Sequence, residues 1–238
     1  MKELIEKAIN LIRQDEDKKA IEILSSKSLE NNGEANHLLG NIYFLAEKGI
    51  SDIKKDKKKG IEFWNKAVKL KNSESAYELG NIYLLGSGVK TNKKLAKEYY
   101  KLGYEFKTYF YEFCGLELVD IYISENKFEK AIKICENLID QNKIEENCLF
   151  RLYKIHSDSN NISKNSDLAI EYLEKAVLKK HVPSCFKLAQ ILSNGVLIEK
   201  DIIKAISILE VILENKDDNI YHNDAISKIE GLKKELKF

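Results

Sequence analysis

The run Leu39-Gly40-Asn41-Ile42-Tyr43 returns letter for letter as Leu79-Gly80-Asn81-Ile82-Tyr83, 40 residues further on. An identical pentapeptide at such a period marks a chain assembled from copies of one small supersecondary unit. A unit of that size cannot bury its own apolar face, so each copy has to stack on the next. This excludes a fold wrapped around one central core. It also directs the search for function toward an extended surface rather than a single cleft.

A second landmark follows the first. A small residue inside an apolar helical pattern occurs at Ala20, Gly60, Ala96, Ala131, Ala169 and Ala205, at spacings of 40, 36, 35, 38 and 36 residues. These define six copies, approximately 1–33, 34–72, 73–108, 109–143, 144–181 and 182–217, in one continuous solenoid. Residues 218–238 read as a capping helix from about Tyr221, with Ala225, Ile229 and Leu232 turned inward and Lys228, Lys233, Lys234 and Lys237 facing water.

Each copy reads as two helices. In the third, Ala76, Leu79, Gly80 and Tyr83 fall at i, i+3, i+4 and i+7, one face of a first helix. Gly86-Ser87-Gly88 breaks it, Val89 anchors the loop, and Asn92 is placed to cap a second helix that runs to about Tyr104. Ala96, Tyr99, Tyr100 and Gly103 form the packing stripe of that helix. The small residues Gly80, Ala96 and Gly103 let two helices approach closely. The sixth copy repeats the frame with Cys185, Leu188, Ala189, Leu192, Gly195, Ile198, Asp201 and Ala205, and the fifth with Leu149, Leu152, Tyr153, His156, Asn161, Ile162, Asn165 and Ala169. From the tyrosine position to the alanine position these copies span 13 residues, the second 17, and the first and fourth nine. The extra residues of the second copy fall in the loop from Glu47 to Lys59.

Composition is consistent with this. A hydrophobic fraction of 44% suffices for a continuous interior, and 32% charged residues with one proline suit long helices. The net charge of +1 provides no global field for nucleic acid or acidic lipid, and arginine, the usual reader of guanine, occurs only as Arg13 and Arg151. No window approaches a membrane span, and the charged start Met1-Lys2-Glu3-Leu4-Ile5-Glu6-Lys7 lacks the apolar stretch of a signal peptide. A cytoplasmic protein with reduced thiols is expected.

The pattern carried by Ala76, Leu79, Gly80, Tyr83, Gly86, Gly88, Val89 and Ala96 resembles the Sel1-like repeat, with Asn92 in place of that repeat's usual Asp and Leu95 in place of its Lys. The short-looped fourth copy resembles a tetratricopeptide repeat through Gly115, Leu118, Tyr122, Ala131 and Leu138, while Val119 and Cys135 depart from that pattern. The first copy matches loosely, through Leu4, Ala8, Leu11 and Ala20. The resemblance implies an all-α fold, a right-handed α-α superhelix of about six helix-turn-helix repeats with its C-terminal cap. It further implies a non-catalytic scaffold that binds a protein or an extended peptide on a concave face lined by the first helices.

Two columns on the first helices are the candidates for that face. Six residues before the tyrosine position stand His37, Tyr77, Leu116, Phe150 and Phe186; two residues before it stand Asn41, Asn81, Asp120, Lys154 and Gln190. One column is largely aromatic or apolar and offers large contact area at low entropy cost. The other is entirely polar, and its amides can both donate to and accept from a peptide backbone. In tetratricopeptide grooves such asparagines hold peptide backbones, so the resemblance assigns that role to Asn41 and Asn81, whose presence the fold does not require. The bland reading is that the first column packs against the next repeat and the second is a solvated face.

Other features are weaker. Eight aromatics, Tyr99, Tyr100, Tyr104, Phe106, Tyr109, Phe110, Tyr111 and Phe113, cluster where the repeat type changes and read mainly as a thick core. The run Lys54-Lys55-Asp56-Lys57-Lys58-Lys59 reads as a solvated loop with Asp56 capping a helix. Cys114, Cys135, Cys148 and Cys185 lack metal-ligand spacing, and three of them fall at packing positions. His156 takes the tyrosine packing position and reads as a satisfied structural histidine. No cofactor, metal, nucleic acid, membrane or small-molecule ligand is expected. Two alternatives to a general scaffold are a toxin-neutralising immunity protein or effector adaptor, and a cryptic hydrolase that uses His37.

Overall fold

The computed structural model describes the chain except residues 28, 47–51, 159, 162–163, 215–218 and 237–238, and the side chains of 219–220. The expectations for Ile162, for Lys237 and for the loop beginning at Glu47 lie in part or wholly outside the described residues. Every regular element among the described residues is an α-helix. The chain divides into two compact units, Met1–Leu118 and Val119–Phe238.

Unit 1 holds α1 (Lys2–Ile12), α2 (Asp17–Leu24), α3 (Gly33–Leu45), α4 (Lys57–Lys69), α5 (Ser73–Leu85), α6 (Lys93–Phe106) and the start of α7 (Tyr111–Ser124). Unit 2 holds the end of α7, then α8 (Phe128–Asp140), α9 (Glu145–Ser157), α10 (Ser166–Leu178), α11 (Val182–Asn194), α12 (Ile202–Leu213) and α13 (Asn219–Glu235). In unit 1, α1 packs on α2, α3 on α4, and α5 on α6; in unit 2, α9 packs on α10 and α11 on α12. These are the helix pairs that the repeat implies.

Six of the helices begin where the sequence supplies a side-chain acceptor. Side chains of Asn32, Asp56, Asn72, Asn92, Asn165 and Asp201 each accept from the backbone N–H three residues on, which satisfies one otherwise orphaned donor per helix. The residue that starts each second helix is tied backward as well. Its N–H donates to the carbonyl at the tyrosine position: Glu16 to Leu11, Asp56 to Tyr43, Asn92 to Tyr83, Lys127 to Tyr122, Asn165 to His156 and Asp201 to Leu192, at 2.8–3.1 Å. The intervening loop ranges from four to twelve residues, yet both of its ends meet at the same two backbone atoms. Loop length changes closure entropy only logarithmically, so the frame tolerates the variation.

Between the helices of a pair, volume is exchanged. The rings of Trp64 and Tyr100, each almost fully buried, lie on the bare α-carbons of Gly40 and Gly80. A Cβ on Gly40 would meet Trp64 at 2.2 Å, and one on Gly80 would meet Tyr100 at 2.4 Å. Gly103 gives the same clearance to Cys114, whose Sγ would lie 2.4 Å from an added Cβ. In the sixth copy the corresponding positions hold the buried pair Ala189 and Leu209, a smaller ring-free exchange of the same kind, and in the fifth the large residue, Tyr153, stands on the first helix opposite Leu173. Ala225 and Ile229 of α13 are buried against α11 and α12, and Leu232 packs beside them, as expected of a cap.

Candidate partner-binding face

The asparagines of the pentapeptide have a structural partner. The Oδ1 of Asn41 accepts from the Trp64 indole Nε1–H at 2.9 Å, and the Oδ1 of Asn81 accepts from the Tyr100 hydroxyl at 2.7 Å. A buried indole or phenol that kept no acceptor would lose about 1–3 kcal/mol. Burial, first of all, raises the Tyr100 hydroxyl well above the ordinary tyrosine range, so it stays a proton donor. Glycine makes room for the ring and the next residue receives its polar proton. This corrects the expectation that the fold can dispense with Asn41 and Asn81. A signal was present in the sequence: asparagine occupies this position only in the two copies whose second helix carries Trp or Tyr four residues after the small residue. Copies with Cys135, Leu173 or Leu209 there have Asp120, Lys154 or Gln190 instead.

Asn41 also meets His37, Nδ2 to Nε2 at 2.9 Å, while the other ring nitrogen of His37 lies 2.9 Å from Ser75 Oγ. His37 is 3% exposed, and its Nε2 lies 3.3 Å from Glu74 Oε1. The groove role expected of His37 is therefore corrected: the ring joins α3 to α5. Serine, histidine and glutamate here mimic a hydrolase constellation, but Ser75 is fully buried and presents no hydroxyl to a substrate. Leu116, 6% exposed, is likewise interior.

The remaining members of the first column pack onward, as the bland reading has it, but stay half-open. Tyr77 lies 5.5 Å from Phe110 and 6.2 Å from Phe113, ring centre to ring centre. Phe150 lies 5.2 Å from His181, and Phe186 lies 6.3 Å from Tyr221. In the second column Asp120 accepts from Arg151 Nε at 3.0 Å, and also from its Nη2, and stands 3.9 Å from Lys154 Nζ. Lys154 lies over the Phe150 ring at 5.2 Å. Gln190 is exposed and accepts from Lys187. Phe186 and Gln190 line an open depression of about 240 Å³ with Lys228, Gly231 and Glu235 of α13. Of the ten candidates, His37 and Leu116 are interior; Lys154 and Gln190 are exposed, and Asn41, Tyr77, Asn81, Asp120, Phe150 and Phe186 keep part of their surface open.

The aromatic cluster is only in part core, with Tyr99, Tyr104, Phe106 and Phe110 half-buried. Tyr100 is fully buried and Tyr111 8% exposed, while Tyr109 and Phe113 remain 75% and 37% exposed. In the lysine loop Asp56 caps α4, Lys59 donates to the Tyr43 hydroxyl at 2.8 Å, and Lys57 lies over Phe44; Lys54, Lys55 and Lys58 are exposed. The four cysteines are free, buried thiols, and burial pushes Cys185 up to about 11. His156 stacks on Tyr172 at 5.6 Å, but its Nδ1 has no hydrogen-bond partner among the described residues. It is held by ring packing rather than satisfied as expected. Among the described residues no three His, Cys, Asp or Glu side chains gather in a way that could hold a metal ion, and no helix is long and apolar enough to cross a membrane.

Comparison with known proteins identifies the repeat. The family model of the Sel1 repeat matches residues 33–72, 73–105, 154–181 and 182–210. Among curated proteins, no sequence matches the chain. The structure of a Sel1 repeat protein from Oxalobacter formigenes superposes with a TM-score of 0.73 at 17% identity, covering 90% of this chain and 85% of that one. The c5321 protective antigen of uropathogenic Escherichia coli, which displays an SLR fold, superposes with a TM-score of 0.69 at 20% identity over 92% of this chain. This chain spans 45% of the length of that antigen. These likenesses establish the fold as an α-solenoid of the SLR type.

Proposed function

We propose that this chain, which belongs to the Sel1 repeat family, is a non-catalytic binding protein whose first helices, within each unit, present the surface for a segment of another protein. Sel1 repeat proteins generally mediate protein–protein interactions. The observation that carries the reading to a surface is the half-open aromatic residue that recurs at one repeat position in both units. Tyr77, Phe150 and Phe186 occupy one repeat position, each packed on one side and accessible on the other. Rigid aromatic anchors of this kind concentrate binding energy. The buried free thiols suit a reducing compartment, and the cytoplasm is the proposed location.

A photo-crosslinking amino acid placed at Gln190 tests this in cells of the source organism. Discrete adducts at position 190, lost on Phe186→Ala and missing when the crosslinker stands at Lys175 on α10, are the expected result. Equal adducts at both positions would remove the first-helix face from consideration.

A further inference from the structure

The first helices of the second and third copies carry a chemistry that the second helices of those copies oppose. Helices α3 and α5 with the first eight residues of α7 contain five glutamates and no lysine or arginine. Helices α4 and α6 contain nine lysines and three glutamates. Charge is therefore segregated across the second and third copies, whereas α1 and α2 each mix two acidic with two basic residues. In those two copies it is not mixed as on an ordinary solvated surface.

The acidic side is also apolar at its rim. Leu45 and Leu85 stand at the same repeat position, two residues after the tyrosines, and are 59% and 72% exposed. They end two equivalent stripes at helical spacing, Glu34-Leu38-Asn41-Leu45 on α3 and Glu74-Glu78-Asn81-Leu85 on α5. Hydrogen bonding of His37 to Ser75 fixes these helices side by side. Within the second stripe Glu78 is partly buried, and no lysine or arginine among the described residues pairs with it. Burial, the larger effect, and the neighbouring Glu74 both work against its charge, which His37 favours.

We propose that this face binds a basic amphipathic segment of a partner protein, with lysine or arginine side chains set between apolar ones. The proposal rests on the binding function above and names the chemistry of the partner. Apolar side chains of the segment cover Leu45 and Leu85, and its cations meet Glu34, Glu74 and Glu78. Electrostatic complementarity of this sort selects partners and speeds encounter more than it adds affinity. A second copy offering its lysine-rich α4–α6 side is the competing occupant.

The test pans a random dodecapeptide phage library on the immobilised full chain. The best sequence is then synthesised and its binding followed by fluorescence anisotropy. Enriched sequences are expected to hold more Lys and Arg than Asp and Glu. The chosen peptide should bind about tenfold more weakly to the E34Q/E78Q variant and to L45S/L85S, and more weakly again at high salt. The control E62Q/E98Q, on the second helices, should bind it unchanged. Acidic or uncharged sequences that still lose binding on L45S/L85S would overturn the basic chemistry and leave the binding function intact. Sequences indifferent to L45S/L85S, E34Q/E78Q and F186A would overturn both, as would failure to enrich any sequence. A salt-sensitive dimer in sedimentation that blocks peptide binding would overturn it in favour of the second copy.

Discussion

Asn81 accepts the hydroxyl proton of Tyr100 at 2.7 Å, directly beside the glycine on which the tyrosine ring rests. Asn41 and Trp64 repeat the arrangement one copy earlier, with an indole N–H in place of the hydroxyl. A dipeptide, Gly-Asn, thus forms a seat for one aromatic side chain with a polar tip. The asparagine that stood out as the functional letter of the repeated pentapeptide is part of its architecture.

Asn81→Ala should lower stability by about 1–3 kcal/mol in urea unfolding, because a buried phenol loses its acceptor. Tyr100→Phe in the same chain should recover much of that loss, since the unpaired hydroxyl is then gone. A double-mutant cycle with no coupling between the two positions would contradict the seat.

Gly80→Ala should be more damaging than a helical Gly→Ala exchange, which ordinarily stabilises. Its new methyl would enter the Tyr100 ring, and overpacking costs about 1–3 kcal/mol. At the equivalent Gly40, Trp64→Leu should rescue Gly40→Ala, because the chain itself packs Ala189 with Leu209 at those positions. Thermal unfolding of the single and double variants measures this.

Alkaline pH should weaken the fold through its thiols. Burial raises Cys185 to about 11, and it raises Cys114 as well; Cys135 is raised first by its hydrogen bond with Cys148 and then by burial. A thiol raised above its unfolded value of about 8.5 contributes stability in full below that pH and loses it as pH climbs toward the folded value. For Cys185 the window runs from about pH 8.5 to about 11. Urea midpoints should fall across it, and less steeply in Cys185→Ala. Native Cys185 should also resist iodoacetamide at neutral pH, and react once urea unfolds the chain.

Lys71 and Lys180 close α4 and α10 with φ of +59°, a left-handed backbone that glycine adopts without steric cost. Lys180→Gly should therefore raise the melting midpoint slightly, by the equivalent of about 0.5 kcal/mol, after the added freedom of the unfolded chain is set against relief of strain. An unchanged or lower midpoint would show that the lysine side chain contributes more there than its backbone costs.

The sequence by itself determined the repeat, its frame and its caps. Six small residues at near-regular spacing, one pentapeptide used twice and the cap residues Asn92, Asn165 and Asp201 are local signals, read within a window of one helix pair. They act locally because helical periodicity and capping depend on neighbours in the chain. What the side chains of the first helices face was decided only by tertiary structure. His37 and Leu116 turned inward, Tyr77 stayed half-open, and Asn41 and Asn81 met rings arriving from 23 and 19 residues away. The same helical register fits an outward amide and an inward one, and only the volume and polar tip of the residue packed against it separates the two.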